Sequence, residues 1–218
     1  LETIPNFPIL PWATTALEDS KIVTRLQPRH YVNFPLNADG ILVLDEALTV
    51  GTVTTEFRVT SGKGFYMNFS RTGDVSDWAW LNNIYVIDDE TLDSPTISID
   101  GNGTIIRTKL PEMVKLKMEI TLTEQLIYLN DKFVGKTQFD YLTGIKGLNF
   151  YSFINSGGDT LSYDLHTLEI VNINTSEIIS FNLNEWSEYL GESIEDVPNF
   201  PIIPWNTGSL ADCKITYN

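Results

Sequence analysis

The residues best suited to bind a ligand lie in one segment, DWAWLNNIYVIDD, which runs from Asp77 to Asp89. Trp78 and Trp80 are two positions apart, so they lie on the same side of the chain if the segment is extended. Aromatic rings stack on the C–H faces of sugars, while amides and carboxylates exchange hydrogen bonds with sugar hydroxyls. The alternative is that both tryptophans pack in a core. We predict a glycan-binding surface made of Asp77, Trp78, Trp80, Asn82, Asn83 and Tyr85.

Acidic residues flank the same segment and could hold a cation. Asp74, Asp88 and Asp89 offer the hard oxygen ligands that calcium prefers. We therefore keep calcium as a candidate cofactor, with solvated loop carboxylates as the alternative. The sequence contains no EF-hand, zinc-ligand spacing or phosphate-binding glycine loop.

Charge and composition exclude several classes of partner. The 218 residues include 14 basic and 29 acidic side chains, a net charge of -15 that repels nucleic acids and anionic membranes. No apolar run reaches the length of a membrane span. Cys213 is the single cysteine, so no disulfide can form within the chain.

The elements that must position the candidate residues are strands. From Ile41 onward, apolar and polar residues alternate, with turn residues roughly every ten positions. Residues 52–60 and 114–123 alternate most clearly, and Asn130-Asp131 predicts a tight turn. One short helix is predicted near residues 184–190, with Asn184 as its N-cap. Strands with one polar face predict an all-β fold, a two-sheet antiparallel β-sandwich.

The order of these strands resembles the concanavalin A-like (lectin/glucanase, or laminin-G-like) jelly-roll superfamily. The resemblance covers residues 41–173 and is carried by EFRVT, GFYMNFSR, ISIDGNGTIIRTK, VKLKMEITLTEQLIYLNDKFVGK and GLNFYSF. Its most characteristic stretch runs from Val114 to Gly135. The resemblance implies a jelly-roll fold, but this superfold hosts lectins, carbohydrate-binding modules, glycosidases, lyases and structural domains.

Residues suited to catalysis are sparse. Retaining glycosidases of the resembled family carry an E-x-D-x-E strand, and this sequence has none. The two histidines are His30 and His166, and we interpret both as structural. We therefore predict that the protein is not an enzyme, and we keep a glycoside hydrolase or polysaccharide lyase as the lesser alternative.

A proline-rich phrase occurs twice, as PNFPILPW from Pro5 and as PNFPIIPW from Pro198. Prolines at every third position enforce an extended path that cannot form a central strand. In one interpretation, the phrase opens a repeated module of about 193 residues. In the other, it docks on a neighbouring subunit, and the protein would then self-associate. The predicted docking residues are Pro5, Phe7, Trp12, Pro198, Phe200 and Trp205.

These patterns predict three segments: a lead-in over residues 1–28, a sandwich over 29–196 and a second lead-in copy over 197–218. The predicted function is non-catalytic recognition of a glycan or a cell-surface receptor. The predicted setting is extracellular, as part of a cell-surface or virion-attached adhesin, fibre or tandem array. A purely structural role, in which the repeated phrases dock neighbouring subunits, is the alternative.

Overall fold

The computed structural model describes residues 29–73, 80–89, 94–101, 104–138, 144–152, 161–205 and 208–217. Almost all regular structure in these ranges is extended. The strands are β1 (His30–Phe34), β2 (Ala38–Leu48), β3 (Gly51–Gly62), β4 (Gly64–Ser70), β5 (Trp80–Asp89), β6 (Ser94–Gly101), β7 (Thr104–Lys109), β8 (Val114–Ile120), β9 (Glu124–Leu129), β10 (Lys132–Gln138), β11 (Ile145–Ser152), β12 (Leu161–Asn172), β13 (Glu177–Asn182), β14 (Ile203–Pro204) and β15 (Lys214–Tyr217).

Two antiparallel sheets form a sandwich, which confirms the predicted fold class. The first sheet has the order β10-β9-β8-β3-β12-β1-β15, and β13 also pairs with β12. The second sheet has the order β14-β2-β11-β4-β5-β6-β7. Strands consecutive in sequence pair as hairpins at several places, whereas β3, β11 and β12 find partners far along the chain.

The core lies between the sheets and follows from the alternation in the sequence. In β8, Val114, Leu116 and Met118 are buried while the residues between them are half-buried. Phe57 of the first sheet stacks on Tyr66 of the second, with ring centroids 3.7 Å apart. Each large apolar side chain removed from water contributes about 1.5–3 kcal/mol, so this interior dominates the stability.

Two local predictions meet different outcomes. Asn130 and Asp131 have φ angles of 48° and 64° between β9 and β10, the left-handed conformations that a tight type I′ hairpin requires. The predicted helix exists as a 3-10 helix over Leu183–Tyr189. The prediction of Asn184 as its cap is wrong, because the Asn182 side chain accepts the hydrogen bond from the Asn184 backbone N–H.

The second copy of the repeated phrase packs on the sandwich of its own chain. Phe200 and Trp205 are 7% and 1% exposed, whereas Pro198 is exposed. β14 contributes two residues to one edge of the second sheet, as expected for a proline-rich segment. The predicted docking residues Pro5, Phe7 and Trp12 lie outside the described residues, and the division into three segments stays a prediction.

Candidate ligand-binding sites

The segment singled out by the sequence is only partly described. Asp74, Asp77 and Trp78 lie outside the described residues. Four further predicted residues belong to β5 by their backbone, and their side chains lie outside the described part; they are Trp80, Asn82, Asp88 and Asp89. The glycan surface and the calcium ligands predicted here therefore stay predictions.

Asn83 and Tyr85 belong to a polar patch on the second sheet. Asn149, Asn68, Asn83 and Asp100 lie directly opposite one another across β11, β4, β5 and β6, so they form a straight row. The Tyr85 hydroxyl donates a hydrogen bond of 2.8 Å to Oδ2 of Asp100. Burial is the main cause that raises the pKa of Tyr85, which keeps this hydroxyl protonated as a donor.

This row, which we call the amide row, carries unsatisfied polar atoms. Asn68 and Asn149 are fully buried, and neither the amide nitrogen nor the amide oxygen of either residue has a hydrogen-bond partner among the described residues. Within the same ranges, Oδ1 of Asn83 and Oδ1 of Asp100 also lack partners. Each such atom costs about 1–3 kcal/mol, which a water molecule or a polar ligand would offset if it reached the row. Sequence reasoning missed Asn68 and Asn149, because nothing in their own strands indicates that they align with Asn83.

A second site lies on the outer face of the first sheet, where β12 changes neighbours. β1 pairs with residues 163–165 of β12, and β13 pairs with residues 167–172 along the same edge. The sheet therefore forks beside His166, and β1 and β13 leave a gap between them. The gap is a half-open cavity of about 260 Å³, the fork pocket, lined by Arg29, His30, Glu56, His166, Thr167, Asn182 and Asn184.

A β-bulge orients the side chains at the floor of the fork pocket. Leu165 pairs with Phe57 and Thr167 pairs with Glu56, so His166 is the extra residue of β12. An extra residue interrupts strict alternation, which allows His166 and Thr167 both to line the pocket. No pattern in the sequence indicates this bulge, and our interpretation of His166 overlooked its neighbourhood for that reason.

The chemistry of His166 follows from its surroundings. Its Nδ1 lies 3.4 Å from the backbone carbonyl of His30, which can only accept, so Nδ1 carries the proton. Burial is the main cause that lowers the pKa of His166, so the ring is neutral at pH 7. Nε2 is then an acceptor, and it is buried without a hydrogen-bond partner in the described part of the chain. A hydroxyl group that reaches Nε2 would remove this cost.

The walls of the fork pocket are polar and mutually braced. Arg29 Nη1 donates to Glu56 Oε2 at 2.7 Å. The Nδ1 proton of His30 is donated to Asn184 Oδ1 at 2.9 Å, because an amide oxygen only accepts. These contacts fix both sides of the pocket.

An adjoining depression extends the pocket along the sheet. It has a volume of about 300 Å³, shares Thr167 and Asn182 with the fork pocket, and adds Thr54, Leu168, Glu169, Ser180 and Glu185. Together the two cavities reach the size range of small-molecule sites. Their walls carry hydroxyl, amide, imidazole, guanidinium and carboxylate groups, and Leu168 adds apolar surface to the adjoining depression.

A buried ion pair lies beside the pocket, on a row of residues that crosses β1, β12 and β3. The Asp164 carboxylate is 2% exposed and accepts hydrogen bonds from Arg58 and from Nδ2 of Asn33. Arg58 also lies over the Tyr31 ring, 5.7 Å from its centroid, and Tyr31 meets His166 edge-on at 5.6 Å. This chain of contacts links the charge pair to the orientation of His166.

Within the described ranges, no group of three or more His, Cys, Asp or Glu side chains is arranged to hold a metal ion. The same residues include no helix with the length and apolarity needed to cross a membrane.

Comparisons with known proteins give low similarity. No protein-family model matches the sequence, and no curated protein is significantly similar to it. A carbohydrate-binding module from Bacillus subtilis is 19% identical, with a TM-score of 0.37 over 61% of this chain and 81% of that chain. A heptameric SAP-like pentraxin from Limulus polyphemus is 9% identical, with a TM-score of 0.46 over 87% and 92% of the two chains. An alginate lyase of polysaccharide lyase family 7 is 14% identical, with a TM-score of 0.38 over 64% and 66%.

Proposed function

We propose that the protein recognises a neutral glycan without catalysis and that the fork pocket with its adjoining depression forms the binding surface. The observation that carries this proposal is the open, polar cavity lined by His166, whose buried acceptor Nε2 has no hydrogen-bond partner among the described residues. A ligand rich in hydroxyl groups supplies the missing donor and also pairs with the amides on the walls.

Charge favours a neutral ligand over an anionic one. Glu56, Glu169 and Glu185 line the two cavities, and Arg29 is already paired with Glu56. The net charge of -15 adds a long-range repulsion against polyanions such as uronate polymers. A neutral glycan avoids both penalties and still uses every hydrogen-bonding group.

The non-catalytic part of the proposal rests on the state of the pocket groups. The Glu56 carboxylate is already engaged by Arg29, whose Nη1 lies 2.7 Å from its Oε2, so a substrate oxygen would have to displace this pair to reach it. A polysaccharide lyase remains the alternative, with neutral His166 as its base. Incubation of the protein with neutral and uronate polysaccharides distinguishes the two, because binding leaves chain length unchanged and a lyase shortens the polymer.

The test of the site is a glycan array followed by calorimetric titration of the best ligand. Thr167→Tyr fills the floor shared by both cavities, and tyrosine is favourable in strands. Thr52→Tyr is the matched control, since Thr52 is a half-buried residue two positions before Thr54 in β3 and lines neither cavity. We expect Thr167→Tyr to lose at least about tenfold in affinity, or about 1.4 kcal/mol, while Thr52→Tyr binds normally.

The sequence-predicted glycan surface is a second candidate, favoured by the unsatisfied polar atoms of the amide row. Trp80→Ala and Asn83→Ala should be titrated in parallel with the pocket variants. Loss of binding in these two variants with normal binding by Thr167→Tyr would reject the fork pocket and assign recognition to β5.

We further propose the setting expected from the sequence, in which the chain belongs to a cell-surface or virion-attached assembly. The repeated phrase supports this setting because it supplies a means of joining neighbours. Immunolabelling of intact and of permeabilised cells or particles tests it: labelling that appears only after permeabilisation would contradict it.

A further inference from the structure

Residues 197–217, which we call the closing segment, complete both sheets of the sandwich. Ile203 and Pro204 pair with Ile41 and Gly40 of β2. β15 pairs with β1 along the edge of the first sheet. Between them, the Trp205 backbone N–H donates to the Asp39 carbonyl at 3.2 Å. The segment therefore passes from an edge of one sheet to an edge of the other.

The closing segment also supplies part of the core. Trp205 meets Tyr151 edge-on, with ring centroids 5.4 Å apart, and Phe200 lies 5.2 Å from Trp186. Its buried side chains are Val197, Phe200, Ile202, Trp205, Leu210, Cys213 and Ile215. The surface that these side chains cover includes Tyr151 and Trp186, and we call it the seat. Without the closing segment, the seat would be an exposed apolar surface.

Residues 4–24 repeat the chemistry of the closing segment. The two stretches are identical at 12 of 21 positions, and five of the seven buried residues are unchanged. The other two buried positions exchange Val197 for Ile4 and Cys213 for Ser20, which are similar in size. Six of the nine differences fall at exposed or half-buried positions, namely Ile203, Gly208, Ser209, Ala211, Thr216 and Tyr217.

The match extends to backbone requirements. Asn199 adopts a φ of 58°, a left-handed conformation that asparagine tolerates better than most residues, and the first copy has Asn6 at this position. The prolines that hold the segment extended recur at all three positions. Side-chain burial and backbone shape therefore both fit residues 4–24 to the same kind of seat.

We propose that residues 4–24 form a second closing segment, which occupies the seat on a second copy of this chain and thereby joins neighbouring sandwiches. Each chain offers one seat and two segments, so residues 4–24 of a neighbour take the seat in place of that copy's own residues 197–217. This inference deepens the assembly role described above and does not depend on glycan binding.

One difference between the copies controls which of them the seat prefers. A Cβ atom at Gly208 would lie 2.7 Å from Cβ of Asp39 and 2.9 Å from the Trp205 carbonyl oxygen. Residues 4–24 carry Thr15 at this position, so they fit this seat less well than the chain's own segment does. The intramolecular segment also gains from a high effective concentration. Exchange between chains therefore requires that the seat be vacated first.

The first test exchanges the copies within the full chain. One variant receives all nine residues by which residues 4–24 differ from residues 197–217, and a second receives eight of them and keeps Gly208. We expect the eight-residue variant to melt within about 5 °C of the wild type and the nine-residue variant to melt lower. A control adds Trp205→Ser to the eight-residue variant and should lose more than about 10 °C. An eight-residue variant as unstable as this control would overturn the proposal.

The second test measures exchange directly. A protease site inserted after the exposed residue Asp196 allows the folded full chain to be cut, so that the closing segment is held only by its contacts. A fluorescent peptide of residues 4–24 should then bind, unlabelled peptide 197–217 should displace it, and Phe7→Ala/Trp12→Ala peptide should not bind. The cut protein should also gain mass in solution, whereas the uncut protein should not.

Rebinding of peptide 197–217 without binding of peptide 4–24 would contradict the proposal. If neither peptide binds the cut protein, the melting temperatures of the first test decide whether the proposal stands. Glycan affinity is measured on the uncut protein, so failure of the assembly proposal and failure of the glycan proposal are distinguishable.

Discussion

Replacing Asp39 with asparagine should change how the stability of the sandwich depends on pH. Asp39 is 8% exposed, its Oδ1 has no hydrogen-bond partner among the described residues, and burial raises the pKa of its carboxyl group from 3.8 to about 8. Between these values the folded protein retains a proton that the unfolded chain has released. The free energy of unfolding therefore falls as pH rises through this window, by at most about 1.4 kcal/mol per pH unit.

The window from pH 5 to pH 7 lies inside these limits, so the Asp39 contribution should fall by about 2.7 kcal/mol across it. An asparagine side chain has the same shape but no titrating proton, so the Asp39→Asn variant should lack this fall. Urea denaturation at pH 5, 6 and 7 measures the free energy of unfolding of the wild type and of the variant. The contributions of all other titrating groups cancel in the difference between the two. A difference that stays constant within about 0.5 kcal/mol would refute the reasoning. Asp212→Asn is the matched control, because Asp212 is an exposed aspartate of the closing segment, which contacts Asp39 through the Trp205 backbone N–H.

Two further substitutions test the packing of the closing segment and the ion pair beside the fork pocket. Trp205→Ala should lower the free energy of unfolding, measured by urea denaturation, by about 3–5 kcal/mol. Ile203 is 46% exposed, so Ile203→Ala should lower it by less than about 1 kcal/mol, and equal losses would contradict the packing described. Arg58→Ala leaves the Asp164 carboxylate buried without its cation and should lower the free energy of unfolding by about 3–5 kcal/mol. The double variant Arg58→Met/Asp164→Leu should lose less, and a double variant less stable than Arg58→Ala would count against this explanation.

Local features of the fold were predictable because they depend on neighbouring residues. The alternation of Val114, Leu116 and Met118 predicts a strand with one buried face, and Asn130-Asp131 predicts the turn after β9. The sequence offers two asparagines that suit an N-cap, Asn182 and Asn184, and the predicted one lies two residues too late. Asn182 is the cap because β13 ends at this residue and the helix begins directly after it.

The fork pocket was not predictable for a different physical reason. Its residues come from positions 29, 56, 166 and 182, and they meet only because β1 and β13 end on opposite sides of one bulge. Sequence pattern carries the period of a strand but not its register with distant strands. The amide row depends in the same way on the alignment of four strands.

The pairing of β15 with β1 sets the order in which the protein can be completed during its synthesis. Tyr31 and Thr216 are 185 residues apart, and the Thr216 hydroxyl donates to the Tyr31 carbonyl. A ribosome that adds roughly 5–20 residues per second needs on the order of 10–40 s to make the chain between them. Throughout that interval this edge of β1 lacks β15, its partner in the folded protein, and an unpaired strand edge is a site at which another chain can pair.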